Sequence, residues 1–173
     1  MDYKPLTREE MISVIEGKGA AHRVPMMYHF WTDASVFGPN KEFVESLLTT
    51  YPNDVTIINP NMPELFDAPK DDPAYRWVNY DDPFKDLHIG IDEMIAMSSW
   101  DQLDAILDAF PDPNYPGLYP TNPVEDGRYR LGCWWFCLFE RFWKFRGMTN
   151  ALMDFYLYPK EVHRLFRAIT DFY

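Results

Sequence analysis

The stretch LGCWWFCLFERFWKFRGMTNALMDFYLYPKEVHRLFRAITDFY, residues 131–173, decides the fold class. It opens as a continuously apolar run, as in a strand buried on both faces, and passes into helical spacing. Ala151, Leu152, Phe155 and Tyr156 recur on one helical face until Pro159 interrupts the pattern. Val162, Leu165, Phe166 and Ile169 then begin it again, and no Gly, Asn or Pro follows to close the helix. The stretch therefore reads as one part of a larger repeating α/β protein. Its remaining units, and some of its reacting groups, are expected outside residues 1–173.

The same rhythm runs through the first sixty residues. Thr7-Arg8-Glu9-Glu10 is a capping box that starts a helix with Met11, Val14 and Ile15 on its buried stripe, and Gly17 and Gly19 end it. Val24 to Tyr28 reads as a short buried strand, with Pro25 near its start where no ladder donor is needed. Phe43, Val44, Leu47 and Leu48 mark a second helix, followed by a strand from Asp54 to Ile58 that exits into Asn59-Pro60-Asn61. Helix, strand, helix, strand with unbroken apolar strands predicts a parallel sheet with covered faces. Residues 64–98 leave that rhythm: Asp71-Asp72-Pro73 and Asp81-Asp82-Pro83 are turn signals around short extended pieces, an expected excursion after the second strand. Ser99 to Gln102 caps a further helix with Leu103, Ile106, Leu107 and Phe110 inward, and a proline-rich crossing leads to a strand from Tyr129 to Phe136.

Composition narrows the partners. At 173 residues, 47% hydrophobic and 17% aromatic, the chain is too apolar for disorder and long enough for a core. A formal charge of -11 argues against nucleic acid and against an anionic membrane surface, both of which require clustered Lys and Arg. Met1 to Pro5 leads into a polar amphipathic helix instead of a signal sequence, and no run approaches the roughly 20 apolar residues of a membrane span. The expected location is cytoplasmic. Cys133 and Cys137, four apart in the most apolar segment, read as buried core thiols.

Several short motifs carry a resemblance. Arg8-Glu9-Glu10-Met11, His22-Arg23-Val24-Pro25, Tyr51-Pro52-Asn53-Asp54 and Phe110-Pro111-Asp112-Pro113 are four of them. Phe139-Glu140-Arg141 to Arg146-Gly147, and Tyr158-Pro159, complete the set. Together they resemble the uroporphyrinogen decarboxylase superfamily over essentially the whole chain. The resemblance implies the N-terminal portion of a (β/α)8 TIM barrel, a fold of about 250 residues. Residues 1–173 would then be part of a single barrel, with 64–98 inserted in it, and the resemblance also implies a homodimer. The decarboxylases hold propionates with an Arg-x-x-x-Arg pair after the first strand, and those positions fall here on Phe30 and Ala34. Their Asp after the second strand falls on Asn61, and a Tyr of the third unit on Trp143. Without either Arg, eight carboxylates cannot be clamped, and Asn carries no charge to polarise a pyrrole cation. Uroporphyrinogen decarboxylation is therefore not expected. The other branch implied is that of corrinoid-linked methyltransferases, in which zinc bound by a His-x-Cys pair and a distant Cys activates a thiol. Those ligands lie in the second half of the barrel. No His-x-Cys occurs in this chain, so no metal or cofactor is expected within it, while zinc and a corrinoid protein are implied for the whole.

Barrel sites form at the carboxyl ends of strands, which gives a shortlist. After the first strand come Tyr28, His29, Trp31 and Asp33. His29 is a candidate general acid or hydrogen-bond donor, or else a strand-end cap. Asp33 orients His29, binds a cation or caps a turn. Asn61 follows the second strand, as a substrate contact or a turn residue. Trp134, Trp135 and Phe136 either wall a flat small-molecule substrate or pack the core. Glu140 and Arg141 are charges within an apolar run and either pair with each other or hold a substrate carboxylate. The expected activity is methyl transfer from a small methylated substrate. The alternatives are decarboxylation of another substrate, a lyase reaction, or a non-catalytic half-barrel that binds a partner.

Overall fold

The computed structural model describes every residue except 1–2, 20, 29–32, 89, 91–92, 121–124 and 136. The chain is of mixed α/β class and groups into two compact units: Met1–Asn59 with Pro120–Cys133, and Pro60–Tyr119 with Trp134–Tyr173.

In the first unit, helix α1 (Arg8–Ile15) begins as its sequence requires. The Glu10 amide donates to Thr7 Oγ1 at 3.2 Å and the Thr7 amide to Glu10 Oε2 at 2.8 Å, which satisfies two otherwise unpaired donors. Gly17, at φ +66°, takes the left-handed turn that ends it. Helix α2 (Lys41–Thr50) follows a 3-10 turn over Ala34–Asn40, on which it packs. Strand β1 (Val55–Ile58) pairs in parallel with β2 (Tyr129–Gly132), in register from Val55 opposite Tyr129 to Ile58 opposite Gly132. The expected strand from Tyr129 to Phe136 therefore stops at Gly132, and Phe136 itself lies outside the described residues.

No strand forms over Val24–Tyr28, against expectation. Pro25 has no amide, the Met26 amide donates to Asp54 Oδ2 at 2.6 Å, and the Tyr28 amide donates to the Asn53 side chain. The donors a ladder would need are taken by side chains at the amino end of β1. Asp54 is fully buried and also accepts from the Leu6 amide at 2.7 Å and from two Arg23 nitrogens at 2.5 Å. A small core of Leu6, Met11 and Val55 lies beside this cluster. Val14 and Ile15, expected on the inner stripe, are not buried, and neither is any residue of α2.

The second unit holds the larger core. Helices α3 (Leu103–Asp108), α4 (Phe139–Arg146), α5 (Met148–Leu157) and α6 (Pro159–Phe172) pack around Trp77, Met97, Phe142, Phe145, Leu165 and Ile169. Gly147 (φ +73°) separates α4 from α5, and a Cβ there would approach Ile95 Cγ1 to 2.9 Å. Leu65, Phe66, Trp77, Val78, Ala96 and Met97 come from the excursion, so residues 64–98 supply a large share of this core. On α6, Val162, Leu165 and Ile169 turn inward as expected. On α5 the expected face is displaced: Leu152, Phe155 and Tyr156 are exposed, and Ala151 and Asp154 are buried. Asp154 Oδ2 accepts from Arg146 Nε at 2.6 Å, and Arg146 also donates to the Met97 carbonyl. That buried ion pair selects which face of α5 points inward.

Burial acts to raise the Asp54 carboxyl, but the bonds from Arg23, Leu6 and Met26 outweigh it and leave it below its ordinary value. Because the folded value is depressed, its stabilisation is complete above about pH 4 and is lost as pH falls through the folded value. Asp54→Asn is expected to destabilise the chain by about 3–5 kcal/mol at neutral pH. It should also remove this component of the acid sensitivity, as measured by urea midpoints across the acid range.

Candidate functional site

The expected site residues distribute over three places, and His29, Trp31 and Phe136 lie outside the described residues. Tyr28 belongs to the amino end of β1. Its carbonyl accepts from Asn53 Nδ2 at 3.3 Å, and its hydroxyl points to Met26 Sδ at 3.2 Å, which the Tyr3 hydroxyl also approaches at 3.0 Å. It is thus held by the segment preceding the strand. Asp33 caps the 3-10 turn through the Ser35 amide at 2.8 Å, and its bonds to Ser35 hold the carboxyl below its usual range.

Asn61 lies at a cleft of about 320 Å³ in the second unit, lined also by Glu64, Asp67, Tyr75 and Tyr115. Its side-chain amide donates to the Gly117 carbonyl at 2.8 Å, its backbone amide to the Leu118 carbonyl at 2.7 Å, and its carbonyl accepts from the Tyr75 hydroxyl at 3.1 Å. Asn61 therefore clamps two loops together while its side chain stays exposed. The Tyr75 and Tyr115 rings lie 4.0 Å apart. Burial, with the neighbouring Tyr115 and Asp72, pushes the Tyr75 hydroxyl up to about 12. The cleft offers an aromatic wall and two carboxylates.

The third place is on α4. Glu140 is exposed and Arg141 is buried, and no ion pair joins them. The Arg141 guanidinium lies 4.8 Å from the centre of the Trp77 ring. Among the described residues its Nε and Nη1 have no hydrogen-bond partner, and neither does Trp77 Nε1. Lys144, one turn further along α4, is pushed down by burial and by repulsion from Arg141, partly offset by Glu64. Tyr173 accepts a hydrogen bond from Arg141 and donates to the Cys137 carbonyl at 3.1 Å. Its hydroxyl is pushed up by burial despite Arg141. The Trp134 ring lies tilted against Tyr173 with centroids 5.7 Å apart, so this member of the expected aromatic wall stands beside the cationic cluster. Trp135 is about half exposed. Cys137 is exposed and Cys133 half-buried, which corrects the expectation of two core thiols; both are free.

Sequence reasoning missed Trp77, Lys144, Tyr75 and Tyr115. The spacing of Arg141 and Lys144, three apart on a helix, was the one available signal. Among the described residues no group of three or more His, Cys, Asp or Glu converges to hold a metal. No helix there is long and apolar enough to cross a membrane. No family model, curated protein or solved structure matches the chain.

Removing the Tyr75 hydroxyl in Tyr75→Phe should release the Asn61 clamp at a cost of about 0.5–1.5 kcal/mol. In an ultraviolet titration the variant should lack the parent's tyrosine step near about 12. An unchanged titration would place that step on another ring.

Proposed function

We propose that the chain is the N-terminal portion of a (β/α)8 barrel resembling the uroporphyrinogen decarboxylase superfamily, and that it serves methyl transfer between a small methylated donor and a corrinoid. The observation that carries this reading is the parallel pairing of β1 with β2. Two strands joined by a long helix-bearing crossover and lying next to each other are what successive units of such a barrel require. Their carboxyl ends lie side by side, with the Cys133 amide donating to the Ile58 carbonyl at 3.0 Å. Loops leaving that end of a barrel carry its chemistry.

The residues speak against uroporphyrinogen as substrate. Ala34 stands at one of the two positions where the decarboxylases place arginine, and Asn61 stands where they place a charged Asp. The Asn61 amide is already committed to the Gly117 carbonyl. In methyl transfer the bond between the methyl carbon and the donor heteroatom breaks, and the heteroatom keeps that electron pair and takes up a proton. A reduced corrinoid, if bound, would supply the pair for the new bond to the methyl carbon. The chain has no His-x-Cys to hold zinc, and among the described residues no group of three or more His, Cys, Asp or Glu converges.

A second reading is a half-barrel that binds a second copy of itself. Phe43 on α2 is 64% exposed and Tyr156 on α5 is 89% exposed, and the parallel pair is only two strands wide. Such edges and faces invite pairing.

Incubation with cob(I)alamin and a panel of methanol, methylamines and methoxylated aromatics should methylate the corrinoid, followed by its absorbance, while uroporphyrinogen releases no carbon dioxide. Carbon dioxide release would overturn the methyl-transfer reading. Light scattering after size exclusion should give twice the monomer mass, and a stable monomer would argue against the self-pairing half-barrel.

A further inference from the structure

We propose that Arg141, together with the indole N–H of Trp77, forms a buried recognition site for the carboxylate of a small-molecule ligand. The guanidinium is 4% exposed, and an arginine cannot discard its proton to relieve burial. A buried cation is normally matched by an anion and by acceptors for its N–H groups. Here the Trp77 ring supplies a π face and the Tyr173 hydroxyl accepts one hydrogen bond, while Nε and Nη1 meet no acceptor among the described residues. A third donor, Trp77 Nε1, is buried and unaccepted in the same cluster.

Three buried donors, two on the guanidinium and one on the ring it lies over, lack an acceptor among the described residues, and oxygen atoms carrying negative charge would supply one. The neighbouring groups fit that polarity. Lys144 lies one turn along the same helix face, and its ammonium is repelled by Arg141. A carboxylate between them would relieve that repulsion. Glu64 acts on Lys144 and Glu140 is exposed, and neither forms an ion pair with Arg141. Trp134, in tilted contact with Tyr173, adds an aromatic surface for the apolar part of the ligand. The site lies entirely within the second compact unit. It does not rest on the methyl-transfer reading, because it concerns what is bound and not which bond breaks.

The probes are sodium acetate, sodium succinate and inorganic phosphate, added at constant ionic strength with sodium chloride as the reference. Arginine Nε–H resonances of the 15N-labelled chain are followed during titration, and Arg141 is assigned from Arg141→Lys. Saturable movement of the Arg141 resonance with acetate and succinate, beyond that with chloride, is the expected result. Arg141→Met should weaken that binding by about 100-fold or more. Without ligand it should melt no lower than the parent, since it removes an unmatched charge and keeps the packing against Trp77. Two results would overturn the proposal. One is an Arg141 resonance that responds to the carboxylates no more than to chloride. The other is an unliganded Arg141→Met that melts well below the parent, as expected if the guanidinium already serves a structural pair. A response to phosphate alone is a case of the first result. Because the titration contains neither corrinoid nor methyl donor, its failure and a failure of methyl transfer are separate results.

Discussion

Asp54 has no exposure to solvent, and its two oxygens accept hydrogen bonds from the amides of Leu6 and Met26 and from the guanidinium of Arg23. A carboxylate taken out of water is tolerated only when its lone pairs are met this fully. The bonds draw three separate segments to the start of β1: the entry to α1, the turn around Pro25, and the strand itself. The apolar core of this unit is small, so the carboxylate does much of the gathering that a larger core would do elsewhere. The Arg23 guanidinium lies also over the Tyr3 ring at 4.3 Å, which holds a further part of the N-terminal segment.

The second unit repeats this device and also departs from it. Arg146 and Asp154 are both buried and meet at 2.6 Å, and Arg146 further reaches the Met97 carbonyl and the face of Trp100. Five residues earlier on the same helix, Arg141 is buried as deeply with two nitrogens unaccepted. The two arginines sit in one helix of eight residues and in one core, so the difference is not one of position along the chain. Arg146 has a carboxylate placed for it by α5, while Arg141 meets the Trp77 ring and the Tyr173 hydroxyl and no carboxylate among the described residues. A fold that matches one buried guanidinium and leaves the next unmatched has a polarity at that point which a ligand anion would complete.

Much of the helical framework was legible because its signals are local. The boxes at Thr7 and Ser99, the break at Pro159 and the stop at Gly17 each involve bonds or dihedrals within a few residues. Apolar runs likewise located β1 and β2. Apolar spacing failed where a polar contact overruled it. The aromatic face of α5 stays exposed because Asp154 must reach Arg146, and the Val24–Tyr28 run forms no strand because its amides bond to Asn53 and Asp54. The stretch 64–98, read as an excursion from its Asp-Pro turns, contributes Trp77 and Met97 to the centre of the larger core. Turn residues mark where the chain bends and carry no information on what lies between the bends.

The candidate site shows the same division. From the amino-acid order alone come the apolar runs of β1 and β2, their expected parallel pairing, and a charged pair, Glu140 and Arg141, within an apolar stretch. Tertiary structure alone decided that Asn61 is a loop clamp, that Tyr28 faces Met26, and that Arg141 lies against Trp77. The reason is separation along the chain. A cap joins residues three apart, whereas Leu6 meets Asp54 across 48 positions and Arg146 meets Met97 across 49. Contacts at that distance depend on how whole segments pack, and no short spacing encodes them.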